Sequence, residues 1–262
     1  MRGLGFNVLL QKEFREAWRS WKFLWIPLVF ALLGMSDPLT NYYMMDILKA
    51  VGNVPEGFEM LMPELMPLDL IQASIGQFQT IGLLVMMASF VGAISKERAN
   101  GMATLLYARP ISFGAYFLSK FVVMSTICFV SILAGFGASV YYTTILYGTL
   151  DIGALLVSFS TYYIWLLFVI AVTLMMSASF KTVIATTCAF TVIFVGQIID
   201  MIIGIFWTIS PWKLASYGIA KFRGTIEISD YWWSLVITLA LTIICIGIGI
   251  VMMKRNASMT KI

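Results

Sequence analysis

The sequence predicts an all-α polytopic membrane protein of six transmembrane helices, preceded by an amphipathic N-terminal helix. Two observations carry that prediction. Hydrophobic residues make up 60% of the chain and charged residues 11%, with a mean hydropathy of +0.92. A soluble domain carries about 25% charged residues, so too little polar surface remains here to cover a globule in water. The apolar runs are also long and unbroken, unlike the period-two alternation of a membrane β-barrel. At about 20 residues per crossing, 262 residues hold six spans with loops to spare.

Residues 1–22 form the first element. Leu10, Phe14, Ala17, Trp18 and Trp21 recur at helical spacing, while Lys12, Arg15, Glu16, Arg19 and Lys22 take the other face. Aromatic residues on one side and cations on the other place a helix in the membrane interface and not across it. Phe14, Arg15, Trp18, Arg19 and Trp21 are the candidate interfacial residues. They form either a membrane-hugging anchor or an elbow that also touches a cytoplasmic partner. No small-residue cleavage site follows the first apolar run, which therefore reads as a retained anchor.

Residues 23–262 are expected to form one transmembrane domain. Its spans lie at about 23–43, 71–94, 121–147, 152–180, 182–200 and 232–253. The first is the shortest: 14 residues from 23 to 36 rise only about 21 Å, against a hydrocarbon core of about 30 Å. It must therefore continue past Asp37 and Pro38 toward Tyr43, or start inside the preceding helix. Cys128, Cys188 and Cys245 all fall inside spans and read as free thiols, not as a disulfide framework.

Lysine and arginine placement orients the chain. Thirteen of these cations fall on the side of the two termini, the 95–120 loop and Lys181; four fall opposite, where the 37–69 loop is acidic. Both termini are expected in the cytoplasm, with the chain multi-pass in the cell membrane. The net charge of +4 reflects this bias and does not suggest nucleic-acid binding.

The most charged stretch inside the apolar region is "SKERANGMATLLYARPISFGAYFLSK", residues 95–120. Ser95 is placed to cap a helix over 97–107 with Glu97 in its first turn. Pro110 ends that helix by driving Arg109 out of the α region. Ser112 then caps a second helix that runs through Lys120 into the third span. The connector is long for neighbouring spans. It is either a positive-inside anchor that fixes topology or a docking element for another protein.

This segment resembles the signature of ABC-2 type transporter permeases, which follow the second span with an acidic–basic pair, a glycine, a leucine-rich turn and a proline. The matching residues are Glu97, Arg98, Gly101, Leu105, Leu106, Pro110 and Ser112, with Lys120 on the next helix. Met102 and Ala103 depart from it, where such permeases often carry Thr and a larger residue. The layout of amphipathic helix, six spans and internal termini is similar throughout the chain. The resemblance implies a permease that dimerises with a second copy or a paralogue and binds a separate nucleotide-binding subunit. It implies that the chain itself binds no cofactor, ATP and Mg being held by the partner, as fits the absence of a phosphate loop of the G-x-x-x-x-G-K-[ST] kind. It further implies that 97–107 is a cytoplasmic coupling helix whose contacts include Glu97, Arg98, Gly101, Leu105, Leu106 and Pro110. Its direction is expected to be export.

Residues 201–224 are apolar but broken by Gly204, Pro211 and Gly218. The segment is similar to the re-entrant helices that ABC-2 permeases place before the last span; read from composition, it is equally an interfacial loop. Asp200 stands at the outer end of the fifth span with Gln197 one turn earlier. Gln197, Asp200, Gly204 and Pro211 are the candidate outer-gate residues. Met60, Met62 and Met66 would suit Cu(I), but without histidine anywhere in the chain no metal site is expected. The same absence excludes intramembrane serine proteases and H-E-x-x-H metalloproteases, and no catalytic residue is expected. The alternative to a permease is a membrane scaffold that recruits a cytoplasmic partner through the same loop.

Overall fold

The computed structural model describes residues 2–52, 65–101 and 112–259, and among these the chain is helical without strands. Six helical stretches are long and apolar enough to cross a membrane: Lys22–Tyr42, Pro67–Ala99, Phe113–Tyr147, Ile152–Ser179, Thr182–Ile203 and Ile228–Asn256. The all-α, six-span expectation is met. Cys128, Cys188 and Cys245 are free.

Helix α1 (Arg2–Arg19) meets α2 (Lys22–Tyr42) at a sharp elbow. Trp21 makes the turn with φ of 58°, the one non-glycine residue with positive φ among those described. The Trp21 carbonyl accepts from the amides of Leu24 and Trp25, which starts α2 at once. Helix α2 runs through Pro27 and Pro38 to Tyr42, so the short first run gains its missing turns as expected. Membrane helices tolerate such prolines because neighbouring groups satisfy the freed carbonyls. Beyond α2, α3 (Met44–Val51) follows.

The second span is built from α4 (Pro67–Gln77), a π-helical turn (Phe78–Gly82) and α5 (Leu83–Phe90), followed after a turn by α6 (Ser95–Ala99). Helix α7 (Phe113–Tyr147) begins at Ser112, whose hydroxyl accepts from the Ala115 amide at 3.1 Å, the cap the sequence indicates. Its 35 residues extend about 52 Å, well beyond an apolar core of about 30 Å. At the α1 end its first turns carry Tyr116 and Lys120, both buried. Helix α8 (Ile152–Ser179) returns, and α9 (Thr182–Phe190), a second π turn (Thr191–Val195) and α10 (Gly196–Ile203) form the fifth span. Helix α11 (Pro211–Phe222) then packs on α8 and α12 (Ile228–Met259) closes the chain. Residues 201–224 thus hold a turn, an extended piece and the short helix α11, not a crossing.

Close backbone approach sets the packing of α2 on α7. A Cβ on Gly34 would lie 2.1 Å from the Gly135 carbonyl oxygen, and Ser74 and Ser139 share a hydrogen bond of 2.8 Å beside it. Small residues allow such contact where lipid supplies no hydrophobic drive between helices. Around this seam Phe30, Phe78, Phe136, Tyr162 and Trp165 form a buried aromatic cluster with ring centroids 5.3–6.2 Å apart.

The expected helix over 97–107 is not continuous. Helix α6 stops at Ala99, and Gly101 follows with φ of 73°, a left-handed backbone that ends helices and suits glycine. Ser95 does not cap α6; that position is Ile94. Leu105, Leu106 and Pro110 lie outside the described residues, as do Met102 and Ala103.

Candidate functional site

At the end of the bundle that carries α1, four charged side chains close on one another. The buried stripe of α1 is Leu9, Glu13 and Ala17, one residue per turn, so a carboxylate is driven inward between two apolar groups. Glu97 enters from α6, and Lys120 from the start of α7. Glu13 and Glu97 are each 7% exposed, and Lys120 is 2% exposed. Lys120 Nζ lies 3.0 Å from both oxygens of Glu13 and 3.0 Å from Oε1 of Glu97. Lys12 Nζ, half-buried, donates to Glu97 at 2.7 Å and to Glu13 at 3.1 Å, with Glu16 at 3.7 Å. The Tyr116 hydroxyl donates to the second oxygen of Glu97. Two ammonium groups thus balance the two buried carboxylates, which is the condition for keeping ions in so dry a place.

Burial alone would pull the Lys12 pKa down. The hydrogen bond to Glu97 and the charges of Glu13 and Glu97 outweigh it and hold the ammonium above its ordinary value. The carboxylate oxygens of Glu13, Glu16 and Glu97 come within 4.8 Å of one another, a spacing that could hold a metal ion. Lys12 and Lys120 already occupy the oxygens of Glu13 and Glu97, so the donors are spent on ammonium groups.

Arg98, the next residue, points the other way. Its Nη1 donates to the Ala178 carbonyl at 2.8 Å, and its Nη2 to that of Phe180. The acidic–basic pair read from the sequence is therefore turned inward, Glu97 toward α1 and α7 and Arg98 toward the end of α8. Gly101 stays exposed. The interfacial residues of α1 divide. Phe14 is half-buried and stacks on Phe23 at 5.8 Å, whereas Trp18 and Trp21 are 73% and 68% exposed. Arg15 and Arg19 line a groove of about 720 Å³ on the outside of α1 with Val8, Gln11, Lys12, Glu16 and Ser20.

At the opposite end, Asp200 gathers three partners. Trp207 Nε1 donates at 2.9 Å, the Ser210 hydroxyl at 3.3 Å, and Lys213 Nζ lies at 3.6 Å. Gln197 shares its cleft of about 200 Å³, also lined by Gln79, Thr80 and Trp212. Gln79 and Thr80 sit on the π turn of the second span, and Gln197 follows that of the fifth. Gly204 packs on the Asp200 carbonyl, where a Cβ would come within 2.1 Å. Pro211 is the first residue of α11, with the Ser210 hydroxyl accepting from the Trp212 amide at 3.1 Å. All four predicted outer residues therefore meet in one place.

Sequence reading missed Lys12, Lys120 and Tyr116 as partners of Glu97, and Glu13 as the second carboxylate of the joint. The signal was available in Glu13, a carboxylate four residues from both Leu9 and Ala17 on the face that turns inward. Ser177 and Asn256, described below, gave no such signal.

Six helices long and apolar enough to cross a membrane, tied at one end by a buried ionic joint, make this a polytopic integral membrane protein. The chain belongs to the ABC-2 family of transporters: the family model described as "ABC-2 family transporter protein" matches residues 7–257. The chain is also similar to an uncharacterized transmembrane protein of Bacillus subtilis (strain 168), YxlG, at 31% identity over 176 residues, 67% of this chain and 68% of that one. Membership makes the chain a membrane subunit and not itself the catalytic part of a transporter.

Proposed function

We propose that this chain is the permease subunit of an ATP-driven exporter, working as a dimer with a second permease chain and bound to a separate ATPase that holds ATP and Mg. The observation that carries the reading is the ionic joint. Glu97, on α6 at the end of the second spanning stretch, is locked by Lys12 and Lys120 to α1 and α7, so a push on this segment is delivered to helices of the bundle. Rigid elements joined by a fixed polar contact transmit displacement as whole-body motion. The positive-inside distribution of Lys and Arg supports a plasma-membrane chain with this end and both termini in the cytoplasm. Exposed Trp18 and Trp21 beside Arg15 and Arg19 support contact of α1 with membrane lipids.

The test is affinity purification from detergent-solubilised membranes of the intact chain and of a Leu105→Ala, Leu106→Asp variant that elutes as the same folded species. Recovery of an ATPase with the intact chain, and its loss from the variant, is the expected result. Recovery of no ATPase with either would overturn the proposal and favour a scaffold that recruits some other cytoplasmic protein.

A further inference from the structure

The end of α8 is held by groups from two distant parts of the chain. The last carbonyls of a helix have no partners within it. Here the Ala178 carbonyl accepts from Arg98 Nη1 and from Asn256 Nδ2, each at 2.8 Å. The Ser179 carbonyl accepts from Asn256 at 3.3 Å, and that of Phe180 from Arg98. In return the Ser177 hydroxyl accepts from the amides of Ile94 and Ser95, both at 3.1 Å. The guanidinium sits at the negative end of the α8 dipole, where a cation is favoured. Phe180 and Lys181 lead directly into α9, and Asn256 lies in the last turns of α12.

We infer that Arg98 and Asn256 are positioning residues that clasp the end of α8 and form a second branch of transmission from the 95–101 segment. One residue apart, Glu97 and Arg98 divide the bundle between them. Glu97 holds α1 and the start of α7 through Lys12 and Lys120, and Arg98 holds the end of α8, the start of α9 and, through the carbonyl it shares with Asn256, the end of α12. A displacement of one short segment therefore reaches both halves of the bundle by separate polar contacts. The inference rests on the permease reading and adds to it the route by which the fourth to sixth spans are moved.

Hydrogen–deuterium exchange on the nanodisc-embedded chain, alone and with its co-purified ATPase, before and after trapping with ATP and orthovanadate, tests it. Peptides covering 176–186 and 252–259 report the Arg98 branch; peptides covering 9–20 and 113–122 report the Glu97 branch. In the wild type both sets should change protection on trapping. Arg98→Gln should lose the change in the first set and keep it in the second, and Glu97→Gln should do the reverse. A merely structural cap would not give this double dissociation. Should Arg98→Gln fail to fold, Asn256→Ala carries the same expectation for 252–259. A trapped response at 176–186 that survives Arg98→Gln, a loss of both sets together, or no response there in the wild type overturns the inference while the permease reading stands. Recovery of no ATPase with the wild type overturns both.

Discussion

Lys120→Met removes a 2%-exposed ammonium and keeps most of its volume. It leaves Glu13 and Glu97 facing each other with only Lys12 between them. Breaking a buried ion pair by deleting one partner costs about 3–5 kcal/mol, because the remaining charge is stranded. For a chain of this size each kcal/mol shifts the midpoint by roughly 2–4 °C, so the variant should melt about 6–20 °C lower. Tryptophan fluorescence on heating in a mild detergent reads this, since Trp165 is buried in the core. The double variant Lys120→Met, Glu13→Gln restores a balance of one cation and one carboxylate and should recover most of the loss. If the single variant melts within about 2 °C of wild type, or the double is no better than the single, the four groups are not acting as one neutral unit.

Three further outcomes follow from other parts of the structure. Gly34→Ala places a methyl 2.1 Å from the Gly135 carbonyl oxygen; with backbone on both sides, overpacking should cost about 1–3 kcal/mol, read as a lowered midpoint in the same melt. Asp69→Asn breaks a half-exposed pair with Arg223 at the opposite end; such pairs contribute about 0–1 kcal/mol, so its midpoint should stay within a few degrees and serve as a control. Lys12 has its pKa raised in the fold, Glu97 and Glu13 outweighing the lowering by burial, so its contribution is complete below the unfolded value of roughly 10.4 and is lost only as pH rises beyond that. The midpoint difference between wild type and Lys12→Met should therefore be constant from about pH 6 to 9; a difference that shrinks across that range contradicts the assignment.

Spans were legible because hydropathy along the chain is a local property that membrane residence makes decisive. Length required the first span to lengthen at one end or the other, and the structure takes the extension through Pro38 to Tyr42; the Ser112 cap followed from residue type and position. The joint was legible only by half. Glu97 and Arg98 stand out as charges in an apolar region, but their partners lie up to 85 residues away, and no local pattern encodes such a pairing. Gly101 carries the reason the expected helix over 97–107 breaks early, since its positive φ is a property of the turn and not of the composition. The two π turns were not legible either. An extra backbone residue in a helical turn leaves the mean hydropathy of a membrane span unchanged, so composition does not mark it.

The distribution of contact types has a mechanical consequence. Two helix contacts are made through bare backbone: Gly34 on Gly135 and Gly218 on Ser158, where a Cβ would come within 2.1 and 2.6 Å. Packing of that kind does not slide by small amounts, since packed interfaces are bistable and not continuously deformable. Ion pairs among the described residues lie instead at the ends, with Glu97 on one side and Asp200 on the other. Helix α7 joins those ends without a break, from Lys120 in the ionic joint to Tyr147, whose ring meets Tyr42 edge-on at 6.2 Å. On the proposed permease reading, a displacement entering at Glu97 would have an uninterrupted rod to travel along. Among the described residues the π turns at Phe78–Gly82 and Thr191–Val195 are where the helical hydrogen bonding is irregular. Gln79 and Thr80 of the first π turn line the cleft that also holds Gln197 and Asp200, and Gln197 follows the second π turn directly along the chain.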